Sequence, residues 1–328
     1  MTPRPLSSSA TRRPQRATAS EQPEFRPRRL LVTTDFSGES KQALPWAVTL
    51  AQSFQAELDL LHVQEPPPRW AGTESLLLLA PEKSTREQLE SGLRNLAGAL
   101  IPDSIPVTPL VRSGKPVAQI LRTARDRKSD LLVLATHGYS GWKHALLGSV
   151  TERVIRQATC PVLAVRTRRL RRGTGTEPES AAPLRRILVA TDFSENSQAA
   201  FPLAWSLAQT YDAQITLVSV VQRYPIDALL GTEVTRNTAG VLQAQAREEL
   251  ESLRDRLTAP HRQPLNLEVA FGHPAQEIAR VAHDHATDLI VIATRGHTGL
   301  RHAYLGSVAE RVVQHAPCTV LVVPNRAR

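Results

Sequence analysis

Apolar and polar positions along this chain repeat with two periods, and the two alternate. Short apolar runs of strand length fall at residues 28–34, 57–63 and 107–111, then from Asp130 (LLVLA), and finally at 162–165. The segments between them carry apolar residues at helical spacing: 40–54 (Ala43, Ala47, Leu50, Ala51), 82–100, 116–127, and a stretch opened by Gly148-Ser149. Pro45 falls in the first turn of its segment, where a missing N–H costs least. The same order then starts again. Strands are predicted at 187–190, 214–220, 267–270 and from Asp288, and helices at 195–210, 235–257 and 274–285. Corresponding residues lie about 158 positions apart, a period that marks a duplicated domain and not a solenoid. Strand alternating with helix predicts, in each half, a doubly wound five-stranded parallel sheet with helices on both faces. The boundaries follow: a basic tail at 1–27, one domain at 28–166, a linker at 167–184 and a second domain at 185–324.

The most informative stretch occurs in both halves, as DLLVLATHGYSGWKHALLGSVTERVIRQATCPVLAV from Asp130 and DLIVIATRGHTGLRHAYLGSVAERVVQHAPCTVLVV from Asp288. Each is a buried strand, a loop with two glycines (Gly138 and Gly141; Gly296 and Gly299), a Gly-Ser opening a helix, and a last strand. A helix start offers unpaired N–H groups and roughly half a positive charge, which suits a phosphate. The alternative is that the glycines serve only tight turns and that Ser149 and Ser307 only cap their helices. In doubly wound sheets, ligands sit beyond the carboxyl ends of the strands where strand order reverses. Asp35 and Asp192 end the first strand of each half, and His137 and Arg295 follow the fourth, so both motifs converge on one crevice. An aspartate there either accepts from a ribose hydroxyl or base edge, or caps the next helix.

The spacing A-T-H-G, nine residues, G-S (Ala135 to Ser149) and A-T-R-G, nine residues, G-S (Ala293 to Ser307) resembles the G-x2-G-x9-G-[ST] signature of the universal stress protein family. The runs VTTDFS at Val32 and VATDFS at Val189 resemble that family's first strand and acidic turn. One position departs, because the signature's first glycine is Ala135 in one half and Ala293 in the other. Alanine is acceptable there with a negative φ; a positive φ costs about 1–2 kcal/mol. The resemblance implies an adenine nucleotide alpha hydrolase-like, Rossmann-like fold and an ATP site in each half. Thr34, Asp35, Val63 and Leu134 would line the adenosine pocket, with His137, Gly138, Gly148, Ser149, Val150 and Thr151 around the phosphates. In the second half the matching residues are Thr191, Asp192, Val220, Ile292, Arg295, Gly296, Gly306, Ser307 and Val308, with Ala309 where the first half has Thr151. Mg²⁺ would ride on the phosphates. The resemblance also implies that residues 162–165 and 320–323, at the sheet edges, pair the halves as an intrachain pseudo-dimer, with a homodimer as a second level of pairing.

Composition narrows the reading. The net charge of +9 is concentrated in the tail and in the joint between halves, with no aromatic residues interleaved, so no nucleic-acid partner is expected. No apolar run reaches the roughly 20 residues of a membrane helix. Two cysteines, Cys160 and Cys318, fit a reducing cytoplasm and a structural role. His62, His144, His273 and His302 have no thiol or carboxylate at ligand spacing and read as packing or surface residues. Lys115 stands near a helix start within reach of a phosphate, but its counterpart is His273. There is no P-loop and no nucleophile elbow. The expectation is ATP binding for sensing or regulation under stress, without catalytic machinery and at most with slow hydrolysis. The alternative is a nucleotide-free scaffold working through dimerisation and protein contacts. An adenylate-forming enzyme would need a Ser-Gly-Gly-type loop where this chain has Thr-Asp-Phe-Ser.

Overall fold

The structure, a computed structural model, describes residues 25–66, 82–136, 147–167, 184–222, 232–258, 264–294 and 306–324. The basic tail before residue 25, most of the linker, and the glycine loops with His137, Gly138, Gly141, His144, Arg295, Gly296, Gly299 and His302 lie outside the described residues.

The first half runs β1 (Arg29–Thr33), α1 (Gly38–Lys41), α2 (Ala43–Phe54), β2 (Glu57–Gln64), α3 (Glu82–Leu100), β3 (Val107–Ser113), α4 (Pro116–Arg127), β4 (Leu131–Ala135), α5 (Ser149–Gln157) and β5 (Val162–Val165). The second repeats it as β6 (Arg186–Ala190), α6 (Glu195–Gln198), α7 (Phe201–Tyr211), β7 (Gln214–Gln222), α8 (Thr232–Thr258), β8 (Leu265–Gly272), α9 (Pro274–Asp284), β9 (Leu289–Ala293), α10 (Ser307–His315) and β10 (Thr319–Val323). Within each half the strands pair in parallel. The strand order 3-2-1-4-5 is mirrored by 10-9-6-7-8. The two sheets meet through β5 and β10, which pair antiparallel with Leu163 opposite Leu321. The closing strands are therefore not free edges. They form the centre of one ten-stranded sheet, which gives each apolar strand a partner on both sides.

Two apolar layers cover the faces. Leu30 and Val32 point to one, with Leu44 of α2 and Leu93 of α3; Leu31 points to the other, with Ile120 of α4 and Val154 of α5. Burial on both faces is why these strands are continuous apolar runs and do not alternate with polar residues.

The helix expected over 40–54 is broken into α1 and α2, and the one over 195–210 into α6 and α7. A proline ring clashes with the carbonyl four residues earlier. Lys41, the last residue of α1, lies four before Pro45, and Gln198, the last of α6, lies four before Pro202. The break is thus a steric consequence of the prolines, repeated in both halves.

Polar contacts reinforce the joint. Arg156 Nη2 meets Glu152 Oε1 on its own helix and Glu310 Oε2 across the pseudo-twofold, each at 2.9 Å. On the opposite face, the Tyr211 hydroxyl donates to Thr49 O (3.3 Å), and Ser206 Oγ donates to Phe25 O (2.7 Å).

Candidate functional site

At the carboxyl ends of β6 and β9 the chain diverges to opposite sides of the sheet, β6 leading to β7 while β9 leads to β10. A cavity of about 290 Å³ opens there. It is lined by Thr191, Asp192 and Ser197 after β6, by Val218, Val220 and Gln222 of β7, and by Pro274 and Ile278 of α9. Ile292, Ala293 and Thr294 and the first turn of α10, from Gly306 to Ala309, complete the wall. Thr191, Asp192, Val220, Ile292, Gly306, Ser307 and Val308, picked out from the sequence, are thus brought together. Val218, Gln222, Pro274 and Ile278 were not picked out. The alternation along β7, which puts Val218 and Val220 on one face, was the available signal for the first of these.

The turn after β6 is built from its own side chains. Thr191 Oγ1 accepts from Phe193 N (3.0 Å) and donates to Ser197 Oγ (3.0 Å), because Ser197 Oγ itself donates to Ser194 O (2.9 Å). Asp192 Oδ1 accepts from both the amide (3.1 Å) and the hydroxyl (2.6 Å) of Ser194. Ser194, so oriented, is the N-cap of α6 and accepts from Ser197 N. The aspartate is therefore not the cap; it braces the residue that is. The same arrangement recurs after β1. Asp35 Oδ1 accepts from Ser37 N (3.0 Å) and Oγ (2.5 Å), Ser37 caps α1, and Thr34 Oγ1 accepts from Phe36 N (3.0 Å). The turn forces Phe36 and Phe193 to φ of 64° and 65°, left-handed backbone that costs a bulky L-residue about 1–2 kcal/mol. Such strain is held where a turn is over-determined by its contacts, as here.

On the facing wall, Gly306 N donates to Thr294 O and Gly148 N to Thr136 O, both at 2.7 Å, which fixes the start of α10 and of α5 against the preceding strand. The N-cap positions are Gly306 and Gly148, neither making a side-chain cap bond. Ser307 and Ser149 are the first helical residues and are exposed, so they do not serve as caps. The first-turn amides of α10 belong to residues that line the cavity. The two halves differ here. Thr151, expected beside phosphates, is buried and donates its hydroxyl to Ala135 O (2.7 Å). Ala309, its counterpart, leaves the equivalent strand without that tie.

Ala135 and Ala293 are the last residues of β4 and β9, and neither is among the described residues with positive φ. The methyl group that replaces the signature glycine therefore brings no backbone strain.

Other first-half residues stand in equivalent places: Thr34 is buried, Asp35 exposed, Val63 in β2 and Leu134 in β4, with Ser149 and Val150 in the first turn of α5. His62 Nδ1 bonds Thr34 O at 2.9 Å and its ring lies 4.7 Å from that of Phe36, a packing role. Burial pushes the Cys160 thiol up to about 11 and the Cys318 thiol up to about 12, away from reactive thiolates. Among the described residues no group of three or more His, Cys, Asp and Glu is placed to hold a metal ion. Nor is any helix among them long and apolar enough to cross a membrane.

Fold and crevice together define a tandem doubly wound α/β protein with a polar cleft at the switch point of the sheet. A model of the Universal stress protein family matches residues 27–166 and 183–324, and the chain belongs to that family. A universal stress protein of Methanocaldococcus jannaschii is 34% identical over 139 residues, covering 42% of this chain and 81% of that protein. The universal stress protein YxiE of Bacillus subtilis is 33% identical over 145 residues, covering 42% of this chain and 98% of its own. The tandem arrangement is seen in a universal stress protein structure from Archaeoglobus fulgidus, with a TM-score of 0.65 at 19% identity, covering 90% of this chain and 96% of that one. A functionally unknown protein from Pseudomonas aeruginosa shares the fold with a TM-score of 0.62 at 20% identity, covering 92% and 93%.

Proposed function

We infer that the chain binds an adenine nucleotide, ATP in the first instance, and that occupancy and not turnover is its output, as a sensing or regulatory member of its family. The carrying observation is that one cavity is lined both by an ordered carboxylate, Asp192, and by the first turn of a helix without a side-chain cap, α10. The apolar part of the wall, Val218, Val220 and Ile292, suits a flat base, and Asp192 suits the ribose hydroxyls. First-turn amides at Ser307, Val308 and Ala309 suit phosphate oxygens. At about 290 Å³ the cavity is near the lower limit for small-molecule sites, which favours a nucleoside inside with its phosphates at the mouth. Mg²⁺, if bound, would neutralise phosphate charge and be held by those phosphates. Nothing in the described wall offers a positioned base for attack on a γ-phosphate, so hydrolysis, where present, is expected to be slow. The domains at 28–166 and 185–324 would each carry one site.

Titration calorimetry of the full chain with ATP is the test. Wild type should bind, Asp192→Ala should lose the second-half site, and Asp35→Ala/Asp192→Ala should lose both. Absence of heat for the wild type at millimolar ATP sinks this reading and leaves a scaffold joined through β5 and β10.

A further inference from the structure

At the rim of the second-half cavity two cationic residue types are held together. Arg311 Nη1 bonds His273 Nε2 at 2.9 Å. His273 is the N-cap of α9 and immediately precedes Pro274 of the cavity wall. Arg311 lies one turn beyond Ser307 on α10, which packs against α9. Both are exposed. A guanidinium can only donate, so Nε2 must accept, and His273 is neutral in this arrangement. The first half has Lys115 and Arg153 in these places, two donors that cannot bond each other.

We propose that His273 and Arg311 are a phosphate-counting rim: they read how many phosphates the ligand of the second-half cavity carries. This rests on the reading of that cavity as an adenine-nucleotide site. The base and ribose subsites lie deeper, among the ends of β6, β7 and β9, so a nucleoside monophosphate uses the first-turn amides of α10 and stops there. A polyphosphate extends past the mouth to the rim, where Arg311 exchanges its bond to a neutral imidazole for charge-assisted bonds to phosphate oxygens. His273, released from Arg311, has Nε2 available to meet the same phosphates as a donor in its other tautomer. The charged groups around it are Arg311 on α10, and Glu277 and Arg280 on its own helix. Those two pair with each other at 2.8 Å, and the Glu277 side chain lies against Gly272 at the end of β8. The cavity wall next to Pro274 carries one acidic residue, Asp192, and the neutral Gln222 of β7. Lys115 and Arg153 give the first-half rim two donors that are not tied to each other, so the two sites should rank nucleotides differently.

The test is calorimetry of the full chain in an Asp35→Ala background, which leaves the second-half site alone, with ATP and AMP as probes. Arg311→Gln should weaken ATP roughly tenfold, the scale of one charge-assisted hydrogen bond, and AMP less than twofold. His273→Lys, the residue of the first half, keeps a donor at the rim and should leave ATP at least as tight as in the background protein, whereas His273→Ala should weaken ATP and move AMP less than twofold. Equal losses of ATP and AMP in Arg311→Gln, or the same ATP affinity in His273→Lys and His273→Ala, overturn the proposal while leaving the nucleotide site in place. A background protein that binds neither probe overturns the reading of the cavity and the rim with it.

Discussion

The two poles of the duplicated domain have diverged to different extents. At the carboxyl ends of the strands the halves share the Thr–Phe, Thr–Ser and Asp–Ser bonds of the polar turn, with a left-handed phenylalanine in each. At the amino ends they match only in part: Asp130 and Asp288 each accept from two successive arginine amides, but the side-chain ion pairs differ. Asp59, 1% exposed in the middle of β2, receives a two-pronged bond from Arg127: Nε to Oδ2 at 2.9 Å and Nη2 to Oδ1 at 2.7 Å. Arg29 ties in by donating to Arg127 O and pairing with Glu57. In the second half Thr216, His285 and Gln214 occupy the places of Asp59, Arg127 and Glu57, so the ion pairs have lost both carboxylates while Arg186 keeps its bond to a backbone carbonyl. A floor needs only to be filled and satisfied, and two different sets of side chains do that over the same aspartate brace. The mouth has a geometry that both copies retain at the cost of backbone strain.

The largest predicted effect breaks this comparison at the floor. Arg127→Ala leaves the buried Asp59 carboxylate without its partner and should cost about 3–5 kcal/mol in urea unfolding. His285→Ala, its counterpart, is exposed and should stay within about 0.5 kcal/mol. Equal costs would show that the ion pair contributes nothing particular to the first half.

At the mouth the halves should respond alike. Thr34→Val and Thr191→Val each remove a hydroxyl that accepts from a phenylalanine amide and bonds a serine six residues on. Each leaves that amide unsatisfied in a strained turn, at about 1–3 kcal/mol. Costs differing by more than that range would mean that the matching geometry hides unequal energetics.

Much of this was legible in the sequence. Runs such as LLVLA and LIVIA report burial on both sheet faces directly, and the repeat of about 158 residues predicts a duplicated fold without any contact being known. Asp192 could be placed at the crevice because parallel topology brings strand ends together, and the family resemblance added Ser307 and Val220. What was hidden depends on partners distant in sequence or on local sterics. Asp59 sits inside the run ELDLLHV, and nothing near it announces an arginine 68 positions on. Asp35 was weighed as ligand or cap, whereas the structure gives the cap to Ser37 and makes the aspartate its brace. The helix breaks followed from Pro45 and Pro202, whose tolerated early-turn position still excludes a continuous preceding turn. The apolar closing strands announced an edge in need of a partner, but not that pairing would fuse both sheets into one.

The paired cysteines sharpen the comparison through pH. Burial raises both thiols, Cys160 to about 11 and Cys318 to about 12, above the ordinary 9.0 they regain on unfolding. Between those values the folded chain holds more thiol protons than the unfolded one, so stability falls as pH rises. The contribution is whole below about pH 9 and disappears as pH passes through the folded values, ending later for Cys318. Both losses begin near pH 9, so Cys160→Ser should lessen the fall up to about pH 11, and Cys318→Ser should lessen it there and also abolish its continuation to about pH 12, read from denaturant midpoints at successive pH values. Alkylation of either thiol at pH 8 should await unfolding.

The smallest effect concerns the seam. Arg156 reaches both Glu152 and Glu310, but all three side chains keep between 24% and 30% of their exposure, so solvent screens the pairs. Arg156→Ala should therefore cost less than about 1 kcal/mol, and less still in high salt. The halves should stay joined, because the backbone ladder between β5 and β10 and the apolar layers on either face do not involve that charge. Two separate unfolding transitions in Arg156→Ala, read by calorimetry, would contradict this. They would move the union of the halves from the sheet to the ion pair that spans it.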